Sequence, residues 1–236
     1  MLSRHRMAIT LLNSSRACRV TGRSHVGRSC PKKTSLSIPV TRHATASRNL
    51  SSARRGTIAD AVGLFYSTTT GHTEEAADTI KSKWGGDITD PTDIGEIDVS
   101  SLPDYDALVV GVPTWHTGAD EMRSGTAWDD VLEDITGLDL SGKKVAIFGC
   151  GDSSGYGDYF CDAIEEMTRT FKAAGATVIG SWAADGSSPN HTYDFQDSKS
   201  CVDGVFYGLP LDYDNEDDLS EPRIEEWVAQ IQSEMA

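Results

Sequence analysis

The chain has 236 residues and a formal charge of −15, but residues 1–56 hold 12 of the 21 Lys and Arg and none of the 36 Asp and Glu. The remainder therefore carries −27, which argues against a nucleic-acid partner because such a domain repels a polyanion. No run of ~18 apolar residues occurs, so no membrane insertion is expected.

Residues 1–56 are rich in Arg, Ser and Thr and have no periodic apolar face long enough to pack. That is the composition of an organelle transit peptide, expected to be disordered and cleaved near Arg54, Arg55 or Gly56. Residues 57–236 remain, enough for one domain with a core. Their cysteines, Cys150, Cys161 and Cys201, are odd in number, and neither they nor His72, His116 and His191 have metal-ligand spacing.

The first expected strand spans 61–66 and ends in the hydroxyl-rich turn Ser67-Thr68-Thr69-Thr70-Gly71-His72-Thr73. Ala76, Ala77, Ile80 and Trp84 then recur at helical spacing, so a helix should begin near His72. Its unpaired first-turn N–H groups and dipole favour an anion in the turn. The turn has no Lys or Arg, and the lysine of a nucleoside-triphosphate loop is missing, so a single phosphate monoester is expected. Alone, the same turn also reads as an ordinary helix cap.

Further strands are expected at 87–89, 107–112, 144–148 and 177–182, with helices from near Thr126, Asp158 and Ser220. In the last helix Ile224, Trp227, Val228 and Ile231 form one apolar face, so Trp227 reads as core. The alternation predicts parallel βαβ units. Where a helix is due after the fifth strand, residues 183–208 instead form a turn-rich insertion, of a length expected to be functional or to carry extra strands of its own, and 205–209 could pair back onto the sheet edge.

Ligands of open α/β sheets bind at the carboxyl ends of the strands, where the strand order reverses. Three loops fall there. The second, Val112-Pro113-Thr114-Trp115-His116-Thr117-Gly118, places an indole just after a strand. The third, Gly149-Cys150-Gly151-Asp152-Ser153-Ser154-Gly155-Tyr156-Gly157-Asp158-Tyr159-Phe160, carries Tyr156 in a glycine-dense turn. A planar ring between Trp115 and Tyr156 would bury two apolar faces.

With these three loops, the insertion containing Phe195-Gln196-Asp197-Ser198-Lys199 and the run Leu211-Asp212-Tyr213-Asp214-Asn215, residues 60–236 resemble the long-chain flavodoxins of cyanobacteria and algae. The resemblance implies a doubly wound, five-stranded parallel sheet of order 2-1-3-4-5 with helices on both faces and a long insertion at the fifth strand. It implies bound FMN, with Thr68, Thr69, Thr70, Gly71, His72 and Thr73 at the phosphate. Pro113, Thr114, Trp115, His116 and Gly118 would lie on the inner ring face, Cys150, Gly151, Asp152, Tyr156 and Tyr159 on the outer, and Asp197 by the ribityl chain. The His116 carbonyl would turn to accept the N5–H of the one-electron-reduced ring. His72, His116 and Cys150 depart from the usual residues at their positions.

The implied role is a monomeric, low-potential electron carrier rather than an enzyme, working in the plastid stroma or, alternatively, the mitochondrion. Its partners would be photosystem I and ferredoxin–NADP reductase, with the protein replacing ferredoxin when iron is scarce. The acids Asp212, Asp214, Glu216, Asp217, Asp218 and Glu221 would dock basic partners or simply be solvated. Two other readings stand beside it: a flavin-dependent NAD(P)H:quinone reductase and an FMN-free binding module.

Overall fold

The computed structural model describes residues 61–236; the transit peptide expected in 1–56 lies outside the described residues. Within 61–236 the chain runs β1 (Val62–Tyr66), α1 (His72–Trp84), β2 (Thr92–Asp93), β3 (Ala107–Pro113), α2 (Ala127–Thr136), β4 (Lys144–Cys150), α3 (Ala163–Ala173) and β5 (Thr177–Ile179). It continues with β6 (Trp182–Ala183), β7 (Cys201–Val202), β8 (Val205–Phe206), β9 (Leu209–Leu211) and α4 (Asp217–Met235). The main sheet is parallel, in the expected order β2-β1-β3-β4-β5. Strand β3 is buried along its whole length and β4 along all but its first residue, as their unbroken apolar runs require for strands covered on both faces. Helices α1 and α4 pack together, as do α2 and α3. The Trp227 indole is fully buried and donates to the Gly180 carbonyl at 2.8 Å, confirming it as core.

Four expectations are corrected. The second strand lies at Thr92–Asp93 rather than 87–89; before it, Ile88 makes only an isolated bridge to Val62. Thr89 explains the shift, because its hydroxyl takes the Leu64 N–H at 2.9 Å in place of a main-chain carbonyl. Pro91, which has no N–H, then delays the ladder. The helix expected from Asp158 is a single tight turn at Gly157–Tyr159, and α3 starts at Ala163. Cys161 at φ +55° interrupts the helical path between them.

The fifth strand is also divided. Thr177–Ile179 pairs with the first half of β4, then the chain leaves and returns as Leu209–Leu211 against the second half. Trp182 is not part of this strand; with Ala183 it joins a separate antiparallel sheet, β6-β8-β7. The expected return of 205–209 is split as well: Val205–Phe206 stays in the small sheet, and only the segment from Leu209 onward pairs with the main one.

Candidate functional site

The three loops converge on a cleft of about 310 Å³. It is lined by Thr70, His72 and Thr73, by Pro113, Thr114, Trp115 and Thr117, by Cys150, Gly151, Asp152 and Tyr156, and by Asp214. A larger groove of about 880 Å³ between α1 and α4 is lined by Glu75, Asp217, Asp218, Glu221, Glu225 and Glu226. Its carboxylates suit neither an anion nor an aromatic plate, so the chemistry belongs to the smaller cleft.

At one end of the cleft the hydroxyl-rich turn is folded on itself. Thr68 Oγ1 accepts the Gly71 N–H at 2.9 Å, and buried Ser67 donates to Asp93 at 3.1 Å. Gly71, at φ +100°, precedes α1 and provides no side-chain cap. The first helical bond comes from Glu75 N–H to the Gly71 carbonyl at 2.9 Å, which leaves the N–H groups of residues 72–74 without an intrahelical acceptor. A Cβ on Gly71 would meet nothing within 4 Å, so the turn opens onto free space. Hydroxyls and uncapped amides at a helix N-terminus fit a phosphate monoester. His72 is held at the cleft edge by stacking on Tyr213, with centroids 5.3 Å apart.

At the other end stand two exposed rings, Trp115 at 46% and Tyr156 at 55%. Such apolar surface is normally covered, and the pair supplies the stacking faces a flavin needs. Thr114 N–H donates to Cys150 O at 2.9 Å, tying the two loops together. The Trp115 and His116 N–H groups both donate to the carbonyl of Arg123 at 3.1 Å. His116 and Gly118 do not line the cleft. The His116 carbonyl, assigned by resemblance to the flavin edge, here accepts the Ala119 N–H at 3.2 Å and closes a turn. Its ring Nδ1 donates to Met122 O at 2.6 Å. Tyr159 lies beside Gly118 rather than in the cleft, its ring 3.3–3.4 Å from where a Cβ on Gly118 would stand.

The tyrosine loop is fixed by two carboxylates. Asp152 Oδ1 accepts from the N–H of Gly155 at 2.7 Å and of Ser154 at 3.0 Å, and from the Asn215 side chain at 2.9 Å. The Gly155 bond is the largest of the influences holding its carboxyl below the usual range. Asp212 is fully buried and accepts from the N–H groups of Ser153, Asp214 and Asn215 at 2.9, 3.1 and 3.0 Å. The expected docking cluster is thus corrected. Asp212 is an internal anchor, Glu216 is paired with buried Arg223 at 2.7 Å, and Glu221 with Lys83 at 2.7 Å. Asp214, Asp217 and Asp218 remain exposed, as does Glu221 despite its pairing.

Asp197 is exposed and outside the cleft lining. Its carboxylate accepts the neighbouring Ser198 N–H at 2.8 Å, and only its main-chain N–H, donating to Gly157 O at 2.9 Å, supports the tyrosine loop. Cys150 lies on the cleft wall, its thiol pushed up to about 12 by burial and nearby acids against a weaker pull from the Thr73 hydroxyl. It is a neutral thiol at neutral pH. The sequence reading passed over Thr117 and Asp214 as lining residues, and Arg123 altogether. Thr117 lay within a quoted loop, whereas nothing local marks Arg123.

A family profile described as Flavodoxin matches residues 64–227. A flavodoxin of Nostoc sp. is 42% identical over 173 residues, covering 73% of this chain and 96% of the relative. One of Haemophilus influenzae is 39% identical over 175 residues, covering 74% and 95%. The crystal structure of a Fusobacterium nucleatum flavodoxin bound to flavin mononucleotide superposes with a TM-score of 0.65 at 26% identity, covering 74% of this chain and 98% of that one. Profile, relatives and fold agree with the loops built above from single residues: the chain belongs to the flavodoxin family.

Proposed function

We propose that this chain holds one FMN in the cleft and carries electrons singly between other proteins. The observation that carries this reading is the pairing, across one cleft, of an uncapped helix N-terminus and hydroxyl cradle with two exposed aromatic rings. The flavin supplies the redox chemistry. The protein's part is to bind, orient and tune. Thr70, Thr73 and the amides of residues 72–74 hold the phosphate, and among the described residues no Lys or Arg lines the cleft to neutralise it. Trp115 and Tyr156 cover the ring faces and exclude water. Asp152 and Asp214 at the cleft, within a region of net charge −27, disfavour additional negative charge on the ring and so lower the potential of the second electron step.

The partners are redox proteins with basic docking surfaces: photosystem I as donor and ferredoxin–NADP reductase as acceptor, with this protein taking ferredoxin's place under iron limitation. It acts as a monomer in the plastid stroma. Support comes from the acid-free presequence composition, the acidity of the remainder and the cyanobacterial relative at 42% identity.

The test is a fluorescence titration of the chain with FMN, FAD and riboflavin, followed by assay with NADPH and a quinone. Binding of one FMN, much weaker FAD binding, and no NADPH oxidation without added reductase are expected. Equal affinity for FMN and FAD would refute the phosphate cradle. Unaided turnover of NADPH would make the chain a quinone reductase, and a protein that bound no flavin would be a binding module.

A further inference from the structure

We propose that Arg123 is the positioning residue of the tryptophan loop, setting where the Trp115 indole and the 116–119 turn stand against the flavin. The proposal rests on the reading of the cleft as an FMN site. Arg123 is 5% exposed and does not line the cleft, so it acts through other groups. Its guanidinium donates to the carbonyls of Ala119, Asp120 and Asp162, each at 3.1 Å, and to Glu165 at 2.6 Å. One planar fork thereby ties the far side of the tryptophan loop to the start of α3. Its main-chain carbonyl accepts the N–H groups of Trp115 and His116 at 3.1 Å. The two oxygens of buried Glu166 hold the backbone in place by accepting the N–H of Met122 and of Arg123, both at 2.8 Å.

The segment is under strain, which argues that its shape is imposed. Met122 adopts φ +56°, a conformation costly for a side chain of that size, and does so between these bonds. Gly125, at φ +64°, passes so close to the base of the Trp115 side chain that a Cβ there would stand 2.8 Å from Trp115 Cβ. A lysine could keep the charge of Arg123 but could not span three carbonyls and a carboxylate, because its ammonium is a point donor.

The experiment compares the full chain with Arg123→Lys and Glu166→Gln. The second variant conserves volume but turns an amide NH₂ toward one of two main-chain N–H groups. Of the five tryptophans only Trp115 is exposed, the others being 6% or less, so acrylamide quenching of flavin-free protein reports its position. Both variants should change that quenching and weaken FMN binding by roughly two- to tenfold, up to the loss expected from removing the indole itself. They should shift the potential of the second electron step and leave affinity for inorganic phosphate at the cradle unchanged. Wild-type quenching and FMN affinity in both variants would overturn the proposal. Equal losses for FMN and phosphate would overturn it too, marking a merely structural role. Should the unmodified chain bind no FMN, the functional reading fails, while the quenching comparison still decides whether Arg123 places the indole.

Discussion

Thr114 Oγ1 accepts the N–H of Ala163 at 3.1 Å, so the residue beside the indole also closes the N-terminus of α3, which has no cap of its own. Asp162, the local candidate for that cap, is turned away to accept the Lys199 N–H at 2.7 Å. Thr114→Val keeps the shape and removes the acceptor. It should cost about 1 kcal/mol of stability, as loss of a helix cap does. Urea unfolding of the flavin-free protein measures this, and an unchanged midpoint would show that Ala163 has another partner.

The two exposed rings make separate contributions. Tyr156→Ala and Trp115→Ala should each weaken FMN binding by roughly two- to tenfold, the range that stacking energies allow. Tyr156→Ala should also raise the potential of the second electron step, because admitting water favours the charged reduced ring. Spectroelectrochemical titration reads both quantities. Unaltered affinity and potential in both variants would refute the stacking assignment.

His191 fastens the insertion to α4. Its Nδ1 lies 2.7 Å from Ala183 O, its Nε2 lies 3.0 Å from Glu226, and its ring stacks on Trp182 with centroids 4.3 Å apart. Burial pulls its pKa down, but the Ala183 carbonyl and the Glu226 carboxylate outweigh burial and leave it above the ordinary value of 6.5. A raised folded-state pKa stabilises the fold fully below 6.5, and that contribution disappears as pH rises through the folded value. The stability gap between wild type and His191→Gln should therefore be largest in mild acid and narrow above neutrality. A gap that widened with pH would reverse the assignment.

Acidic docking should appear as salt dependence. Electron transfer to ferredoxin–NADP reductase should slow as salt rises, since the Debye length falls to ~10 Å near 0.1 M. Reversing Asp217 and Asp218 to Lys should flatten the dependence. Asp212→Asn should reduce stability instead and leave the salt slope intact, because that carboxylate is buried. Stopped-flow rates across a salt series separate the two, and an unchanged slope in the Asp217/Asp218 variant would move docking to another surface.

Residues 1–56 fused to a fluorescent reporter should direct it into the plastid. Mitochondrial import would keep the transit-peptide reading and change the organelle. A cytosolic reporter would remove the basis for both.

What could be read from the sequence was what lay close together in it. Thr68 to Thr73, Trp115 and Tyr156 each sit in a loop directly after an apolar run, so period and composition were enough to place them. Asp212 and Glu166 gain their roles from N–H groups 59 and 43 residues away, at Ser153 and Arg123, and carry no local mark. The Asp203-Gly204 turn between β7 and β8, with φ +52° and +77°, did have a local mark, since Asp-Gly between short apolar runs signals a tight hairpin. The insertion is long enough to carry strands of its own, and this hairpin is formed by two of them. Asp197 is the opposite case: its motif is recognisable in the sequence, and its carboxylate accepts the next residue's amide.

The divided fifth strand has a consequence for the order of folding. β1, β3 and the first half of β4 can pair through ordinary crossovers, but Leu211 meets Cys150 only after the chain has travelled through the small sheet and back. Such distant closure is slow, because the entropy of the intervening segment must be lost before the contact forms. Asp212, which anchors the tyrosine loop, follows directly. One wall of the cleft should thus be among the last parts of the domain to form.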